Sequence, residues 1–244
     1  MARARKRHTQ IDITFPSWGG KRRRAGRPAR NAWRPSERHV PRPRFDRPTP
    51  FHVTLRVVDA IGNLRRRRTY HAIRKAMHST LVRTDFRIVH ISLEDGHIHL
   101  IVEANNETAL SRGMQAFEIV AARRLNQALA KYGRRRGTVF PDRYHPVRIG
   151  SPTQARNAIC YVVNNWRRHR RDVDKDTRLW EVGYFSSGPS FRGWKECETS
   201  PMPFDWPPTY EPLPVSRPET WVLEKGWMRG GKPISLREVP GPAV

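Results

Sequence analysis

The sequence predicts an α+β fold in which a mostly antiparallel sheet carries helices on its faces. Three short segments alternate apolar and polar residues with the period of two that is typical of a strand, and a fourth strand is predicted further along the chain. Three longer segments repeat apolar residues at the helical period. Along the chain these segments follow the order β-α-β-β-α-β-α, an arrangement that favours a sandwich of helices and an antiparallel sheet.

The strands are predicted from alternation and from the turn residues between them. In the first strand, apolar residues from Phe51 to Val57 alternate with polar ones. Glu94-Asp95-Gly96 separates the second strand from the third, which predicts a β-hairpin at this point. The predicted strands cover residues 51–57, 86–90, 98–102 and 143–149.

The helices are predicted from apolar stripes and from residues that favour helix ends. Gly133 is the expected C-cap of the second helix. Ser151-Pro152-Thr153-Gln154 is a capping box with proline at the first helical position, and it predicts the start of the third helix. The predicted helices cover residues 66–84, 107–132 and 152–170, and the third turns Ala155, Ile159, Val162 and Trp166 inward.

Composition divides the chain into three zones. Residues 1–44 carry 14 Lys and Arg against two acidic residues, so they are expected to form a basic disordered arm. Residues 45–171 contain the predicted strands and helices and form the folded domain. Residues 172–244 are rich in proline and tryptophan, which predicts an irregular extension that packs partly onto the domain.

The net charge indicates a polyanionic partner. The chain has 47 Lys and Arg against 22 Asp and Glu, a formal charge of +25, which favours nucleic acid over an anionic membrane surface. Only two cysteines occur, and they form no C-x-x-C pair, which argues against a disulfide-stapled secreted protein and a cysteine-based zinc module. With no apolar run long enough to span a bilayer, the expectation is a cytoplasmic protein.

Two histidines on the third strand are candidate metal ligands. Residues two apart on a strand point to the same face, about 7 Å apart in Cα terms. His97 and His99 can therefore converge on one divalent cation while Ile98 and Leu100 enter the core. Because H-x-H often occurs by chance, the segment taken alone favours two unrelated strand histidines over a metal site.

Tyr161 and Asn165 lie four residues apart on the third helix, and therefore on the same helical face. By themselves they are compatible with a tyrosine at the edge of the core and an asparagine in solvent. Combined with the histidine pair, the amide oxygen could hold a hard cation beside the tyrosine hydroxyl.

The run from Phe51 to about His169 resembles the single-tyrosine HUH transposases, in particular the REP-associated branch found in bacteria. The family commonly reads Tyr-Ile-His-x-Asn-Pro in its tyrosine motif, where this chain has Val163 and Trp166 in place of the histidine and proline. The segments that carry the resemblance are HVTLRVV at 52–58, GHIHLIVEA at 96–104, GTVFPDRYHPVRI at 137–149 and YVVNN at 161–165.

The resemblance implies a ferredoxin-like HUH fold and a transposase that cleaves and rejoins single-stranded DNA through a 5′-phosphotyrosine intermediate. Tyr161 would be the nucleophile. His97, His99 and Asn165 would hold Mg²⁺ or Mn²⁺, with Gln154, Asn164 or a water as alternatives to Asn165. The implied partner is a hairpin-forming single strand, bound by a monomer or homodimer associated with the bacterial nucleoid.

Three basic runs are the expected contacts to the DNA backbone, because phosphate neutralisation dominates the affinity for nucleic acids. Each run is also compatible with an ordinary solvated face. The residues are Lys21, Arg22, Arg23 and Arg24 in the arm, Arg65, Arg66, Arg67 and Arg68 before the first helix, and Arg134, Arg135 and Arg136 after the second.

Other functions compete with the transposase hypothesis. A domesticated DNA-binding protein would use the same fold without mobilising DNA. A non-catalytic RNA- or DNA-binding protein would keep the histidines for structure, although an RNP-type aromatic strand is absent from the sequence. His52-Val53-Thr54 suggests a two-histidine phosphoesterase, but that class needs a second H-x-[ST] element, which His97-Ile98-His99 does not supply.

Overall fold

Four antiparallel strands form one sheet. The computed structural model describes residues 44–130, 135–175, 177, 179–205 and 207–241. The strands are β1 Thr49–Arg56, β2 Phe86–Leu93, β3 His97–Ala104 and β4 His145–Arg148. Their order is β2-β3-β1-β4: β1 pairs with both β3 and β4, and β2 and β3 form the predicted hairpin. The α+β class and the ferredoxin-like arrangement are confirmed.

The helices follow the strands in the predicted order. Within the described ranges, none of them is long and apolar enough to cross a lipid bilayer. The long helices are α1 Arg67–Met77, α2 Glu107–Ala128 and α3 Pro152–Arg168, and a single turn, α4, covers Trp221–Glu224.

Helix α1 is shorter than the sequence predicts, because it ends at Met77 rather than near residue 84. The Ser79 hydroxyl donates to the carbonyl of Ala76 at 2.7 Å, and the Thr80 hydroxyl donates to the carbonyl of Met77 at 2.8 Å. Hydroxyls that bond nearby carbonyls in this way compete with the helical ladder. Leu81, which falls within the predicted helix 66–84, lies after the end of α1 and is 41% exposed.

The start of α3 follows the predicted capping box with one difference. Ser151 Oγ accepts the backbone N–H of Gln154 at 3.2 Å, as the motif requires. Gln154 Oε1, however, accepts the N–H of Gly150 at 2.8 Å, one residue before the expected donor. The predicted C-cap of the preceding helix, Gly133, lies outside the described residues.

The sheet separates two apolar layers. Val53 and Leu100 belong to the layer that packs under α1 and α2. Ile101, one residue further along β3, belongs to the layer that packs against α3. Because His97 and His99 alternate in step with Ile101, they lie on the α3 face of the sheet.

The described residues after α3 cover that helix. They contain only short helical turns, but their large apolar side chains share one cluster with Val162 and Val163 of α3. The segment from 172 onward therefore completes the layer that holds the candidate site. Its contributions to the cluster include Val182, Phe191, Trp194, Trp227 and Ile234.

Candidate active site

Polar side chains of β1 and β3 come together under α3. Thr54 pairs directly with His99 in the register of the two strands. His52 and His97 lie two residues away on their own strands, so their side chains point to the same face as those of Thr54 and His99.

The rings of His97, His99 and Tyr161 form a chain of edge-to-face contacts. The His97 and His99 centroids are 4.8 Å apart with the planes at 89°, and those of His99 and Tyr161 are 5.1 Å apart at 88°. The fold thus brings the predicted nucleophile beside His99, which in turn contacts the other histidine of the predicted metal pair.

The histidines of the site are held neutral. Burial, and then repulsion from the protonated forms of His97, His52 and His169, lowers the pKa of His99 to about 2. Burial and then the charge of His145 lower the pKa of His52 to about 4. Burial is also the main cause of the lowered pKa of His97. Neutral imidazole is the form that binds metals.

Two buried polar groups among the predicted metal ligands have no hydrogen-bond partner within the described part of the chain. One is His99 Nε2, and the other is the Asn165 amide, whose oxygen and nitrogen are both without one. A buried polar atom without a partner costs about 1–3 kcal/mol. Coordination of a cation by His99 Nε2 and Asn165 Oδ1 would remove that cost for both atoms, so these residues fit a bound divalent metal.

Of the two alternatives to Asn165, only Gln154 has its amide oxygen engaged, because Oε1 accepts the N–H of Gly150 at 2.8 Å. Asn164 Nδ2 donates to the carbonyl of Ser235 at 2.9 Å, but its Oδ1 is buried without a hydrogen-bond partner within the described part of the chain, as is that of Asn165. Among the described residues, no three His, Cys, Asp or Glu side chains gather into a group that could hold a metal. The amide oxygens of Asn165 and Asn164 are therefore both candidates for a further ligand.

Tyr161 lies in a largely buried environment. Its side chain is 7% exposed, and burial raises the pKa of its hydroxyl. The Arg168 guanidinium, 5.7 Å from the ring centroid, opposes that rise, whereas the carboxylate of Glu94 adds to it. The phenol is therefore protonated at neutral pH, and any attack by its oxygen requires removal of that proton.

Sequence reasoning missed several neighbours of the site. His52 Nε2 and Thr54 Oγ1 each lie 3.3 Å from His99 Nδ1, and the His169 ring lies 6.2 Å from that of His97. The spacing of His52 and Thr54 already places both on one strand face, but only the β1–β3 register shows that this face contacts His99. Arg168 follows Tyr161 by two helical turns, so the helical period could have identified it.

The predicted DNA-contacting arginines divide into two groups. Arg65 is directed inward: its guanidinium donates to the carbonyl of Leu93 at 3.2 Å and lies 3.9 Å from the carboxylate of Glu94. It therefore stabilises the fold and does not contribute to a DNA-binding surface. Arg135 is half-buried and bonded to Asn126. The exposed members are Arg66, Arg67, Arg68 and Arg136, whereas Lys21, Arg22, Arg23, Arg24 and Arg134 lie outside the described residues.

The central part of the chain matches the model of a known protein family. Residues 51–165 match the family model described as IS200-like transposases. Among solved structures, a REP-associated tyrosine transposase bound to a REP hairpin is similar with a TM-score of 0.44 and 15% identity, over 75% of this chain and 99% of that chain. A candidate transposase from Deinococcus radiodurans R1 is similar with a TM-score of 0.34 and 12% identity, over 50% of this chain and 91% of that chain. Among curated proteins, none is significantly similar to this chain.

Proposed function

We propose that this chain, whose residues 51–165 match the model of the IS200-like transposases, cleaves and rejoins single-stranded DNA with Tyr161 as the nucleophile. The observation that carries the proposal is the contact between Tyr161 and His99 of the histidine pair. A helix and a strand that are distant in the chain bring the rings of the nucleophile and of His99 within 5.1 Å, and His97 contacts His99 in turn. Neutral imidazoles beside a buried hydroxyl suit nucleophilic attack assisted by a metal.

The proposed reaction exchanges one phosphodiester for another. The Tyr161 oxygen loses its proton and bonds to phosphorus, the bond from phosphorus to the 3′ oxygen breaks, and that oxygen takes up a proton. The products are a 5′-phosphotyrosine and a free 3′-OH. Attack of a 3′-OH on the phosphotyrosine reverses the same bonds, so strands are rejoined without ATP.

We assign the metal site to His97, His99 and Asn165. The unpartnered Nε2 of His99 and Oδ1 of Asn165 support this assignment. A bound Mg²⁺ or Mn²⁺ would polarise the scissile phosphate and offset the charge that develops on it. The protein supplies the rest of the site: α3 fixes Tyr161, and the positive Arg168 lies over its ring.

The proposed substrate is a hairpin-forming single strand, which a +25 chain would attract through its phosphates. The exposed Arg66, Arg67 and Arg68 at the start of α1 and Arg136 are assigned to backbone contacts. In the same proposal, residues 1–44 form a basic arm that adds affinity, residues 45–171 form the catalytic domain, and residues 172–244 support α3.

The test measures metal binding and determines which side of the cleaved phosphodiester stays attached to the protein. Mn²⁺ is titrated calorimetrically into the full chain, and into His97→Ala and His99→Ala, with a hairpin oligonucleotide bound. Each variant should lose Mn²⁺ affinity and cleavage but keep binding the oligonucleotide. His78→Ala, which changes an exposed histidine at the end of α1, is the matched control and should behave as wild type.

The position of the label on the oligonucleotide shows which DNA fragment becomes covalently linked to the protein. A 3′-labelled oligonucleotide should remain attached to the protein, and a 5′-labelled one should be released with a free 3′-OH. Wild-type Mn²⁺ affinity in both histidine variants would refute the metal site. DNA binding without cleavage by the metal-loaded wild type would instead identify a domesticated binding protein.

A further inference from the structure

His52 contacts the Nδ1 side of His99, a histidine of the proposed metal site. Its Nε2 lies 3.3 Å from Nδ1 of His99, and the two ring centroids are 5.3 Å apart. Both side chains are almost fully buried, with residue exposures of 3% and 4%. The contact is therefore a direct hydrogen bond in a protected environment.

The direction of that hydrogen bond decides which nitrogen of His99 can bind a cation. A neutral imidazole carries one proton, on either Nδ1 or Nε2. If Nδ1 of His99 carries it, this N–H donates to His52 and leaves a lone pair on Nε2. If His52 donates instead, His99 carries its proton on Nε2, and that nitrogen cannot coordinate.

The surroundings of Nε2 favour the first arrangement. This atom is buried and has no hydrogen-bond acceptor among the described residues. An N–H placed there would be an unsatisfied donor, whereas a lone pair placed there is available to a cation. Metal-binding histidines generally donate their other N–H to a supporting acceptor in this way.

We propose that His52 is a positioning residue: its Nε2 accepts the Nδ1 proton of His99 and holds that ring in the tautomer and orientation in which Nε2 binds the catalytic cation. The inference rests on the proposed metal site and extends it to β1. Thr54 Oγ1 lies at the same 3.3 Å from His99 Nδ1, but a hydroxyl both donates and accepts and so cannot select the tautomer by itself.

Two variants distinguish loss of the hydrogen-bond acceptor at position 52 from a change in the size of the side chain. His52→Leu removes the acceptor, and we expect it to weaken Mn²⁺ binding to the full chain by about 10–100-fold, the usual effect of losing such a support. His52→Gln keeps an acceptor oxygen and should retain affinity close to that of wild type. Equal Mn²⁺ affinity in His52→Leu and wild type would overturn the proposal.

His90→Leu is the matched control, because His90 is another buried histidine on the same face, where it contacts Ser187 Oγ at 3.2 Å. It should lower stability and leave Mn²⁺ affinity unchanged. The variant His99→Ala shows whether a failure concerns the metal site itself or only the role of His52. If it keeps Mn²⁺ affinity, the metal site itself fails; if it loses affinity and His52→Leu does not, only the role of His52 fails.

A second measurement needs no variant. Nitrogen chemical shifts of the histidine rings in the metal-free wild-type chain report directly which nitrogen carries the proton. We expect the proton of His99 on Nδ1 and an unprotonated Nε2 on His52. A proton on Nε2 of His99 would contradict the proposal even if His52→Leu does not fold.

Discussion

The rings of Tyr161 and His99 meet edge to face at 5.1 Å, although one residue belongs to a helix and the other to a strand. Their contact is fixed by the apolar layer around them, in which Val162 and Val163 of α3 share one cluster with Ile101 of β3. The nucleophile is thus held by the core of the fold and not by a loop. Small displacements of reacting groups are costly in catalysis, so this placement suits a reactive site.

Glu103 ties the C-terminal segment to the sheet that carries the site. Its carboxylate is fully buried and accepts the backbone N–H groups of Glu219 at 2.8 Å and Thr220 at 2.9 Å. Arg87 lies 3.6 Å from it. Glu103→Gln removes the charge and one acceptor, so we expect the free energy of unfolding in urea to fall by about 3–5 kcal/mol.

Glu219→Gln is the control for this prediction. The Glu219 side chain also pairs with Arg87, at 2.8 Å, but is 64% exposed. An exposed pair contributes about 0–1 kcal/mol, so this variant should be nearly as stable as wild type. Equal losses in both variants would show that burial of the Glu103 carboxylate has no special role.

Deletion of residues 1–44 should weaken DNA binding without affecting cleavage chemistry. The segment carries 14 Lys and Arg. Each lost phosphate contact should reduce the slope of log affinity against log salt by about 0.7 for single-stranded DNA. Affinities measured over a range of salt concentrations give this slope, and an unchanged slope would mean that the segment does not contact phosphates.

His90 should make the protein less stable in acid. Burial lowers its pKa to about 4, against about 6.5 in the unfolded chain. Between these two pH values His90 is protonated in the unfolded state but not in the folded state. The free energy of unfolding therefore decreases as the pH falls from about 6.5 to about 4, by about 3 kcal/mol in total. His90→Gln should flatten this part of the stability curve.

The comparison for this prediction is His78→Gln, which changes an exposed histidine and should keep the wild-type slope. His52 and His99 have lowered pKa values as well, so part of the acid sensitivity should persist in the His90 variant. Unfolding midpoints in urea between pH 4 and pH 7 provide the test. A His90→Gln curve parallel to that of wild type would contradict it.

Patterns among neighbouring residues were enough to predict the fold, but not all of the candidate site. Alternation and capping residues are properties of neighbouring residues, which is why the order of the strands and helices and the Ser151 cap were predictable. The contact of His52 with His99 depends on the register of β1 against β3. Register follows from long-range pairing, which a single sequence does not reveal.

Arginines illustrate the same limit at the surface. Arg65 to Arg68 form one uniform basic run in the sequence, yet Arg65 is buried against Leu93 and Glu94 whereas the next three are exposed. The buried carboxylate of Glu94, in the hairpin turn, decides this difference. Such a partner is distant in the chain and becomes visible only in the folded structure.

The most direct test of the account is to locate the covalent DNA adduct. The wild-type chain is incubated with a hairpin-forming oligonucleotide and Mn²⁺, digested, and mapped by mass spectrometry, with Tyr161→Phe treated in parallel and Tyr184→Phe as a matched tyrosine control. We expect a 5′-phosphotyrosine at Tyr161 in the wild type and in Tyr184→Phe, and none in Tyr161→Phe, which should still fold and bind DNA. An adduct on another residue, or one that persists in Tyr161→Phe, would contradict the proposed mechanism.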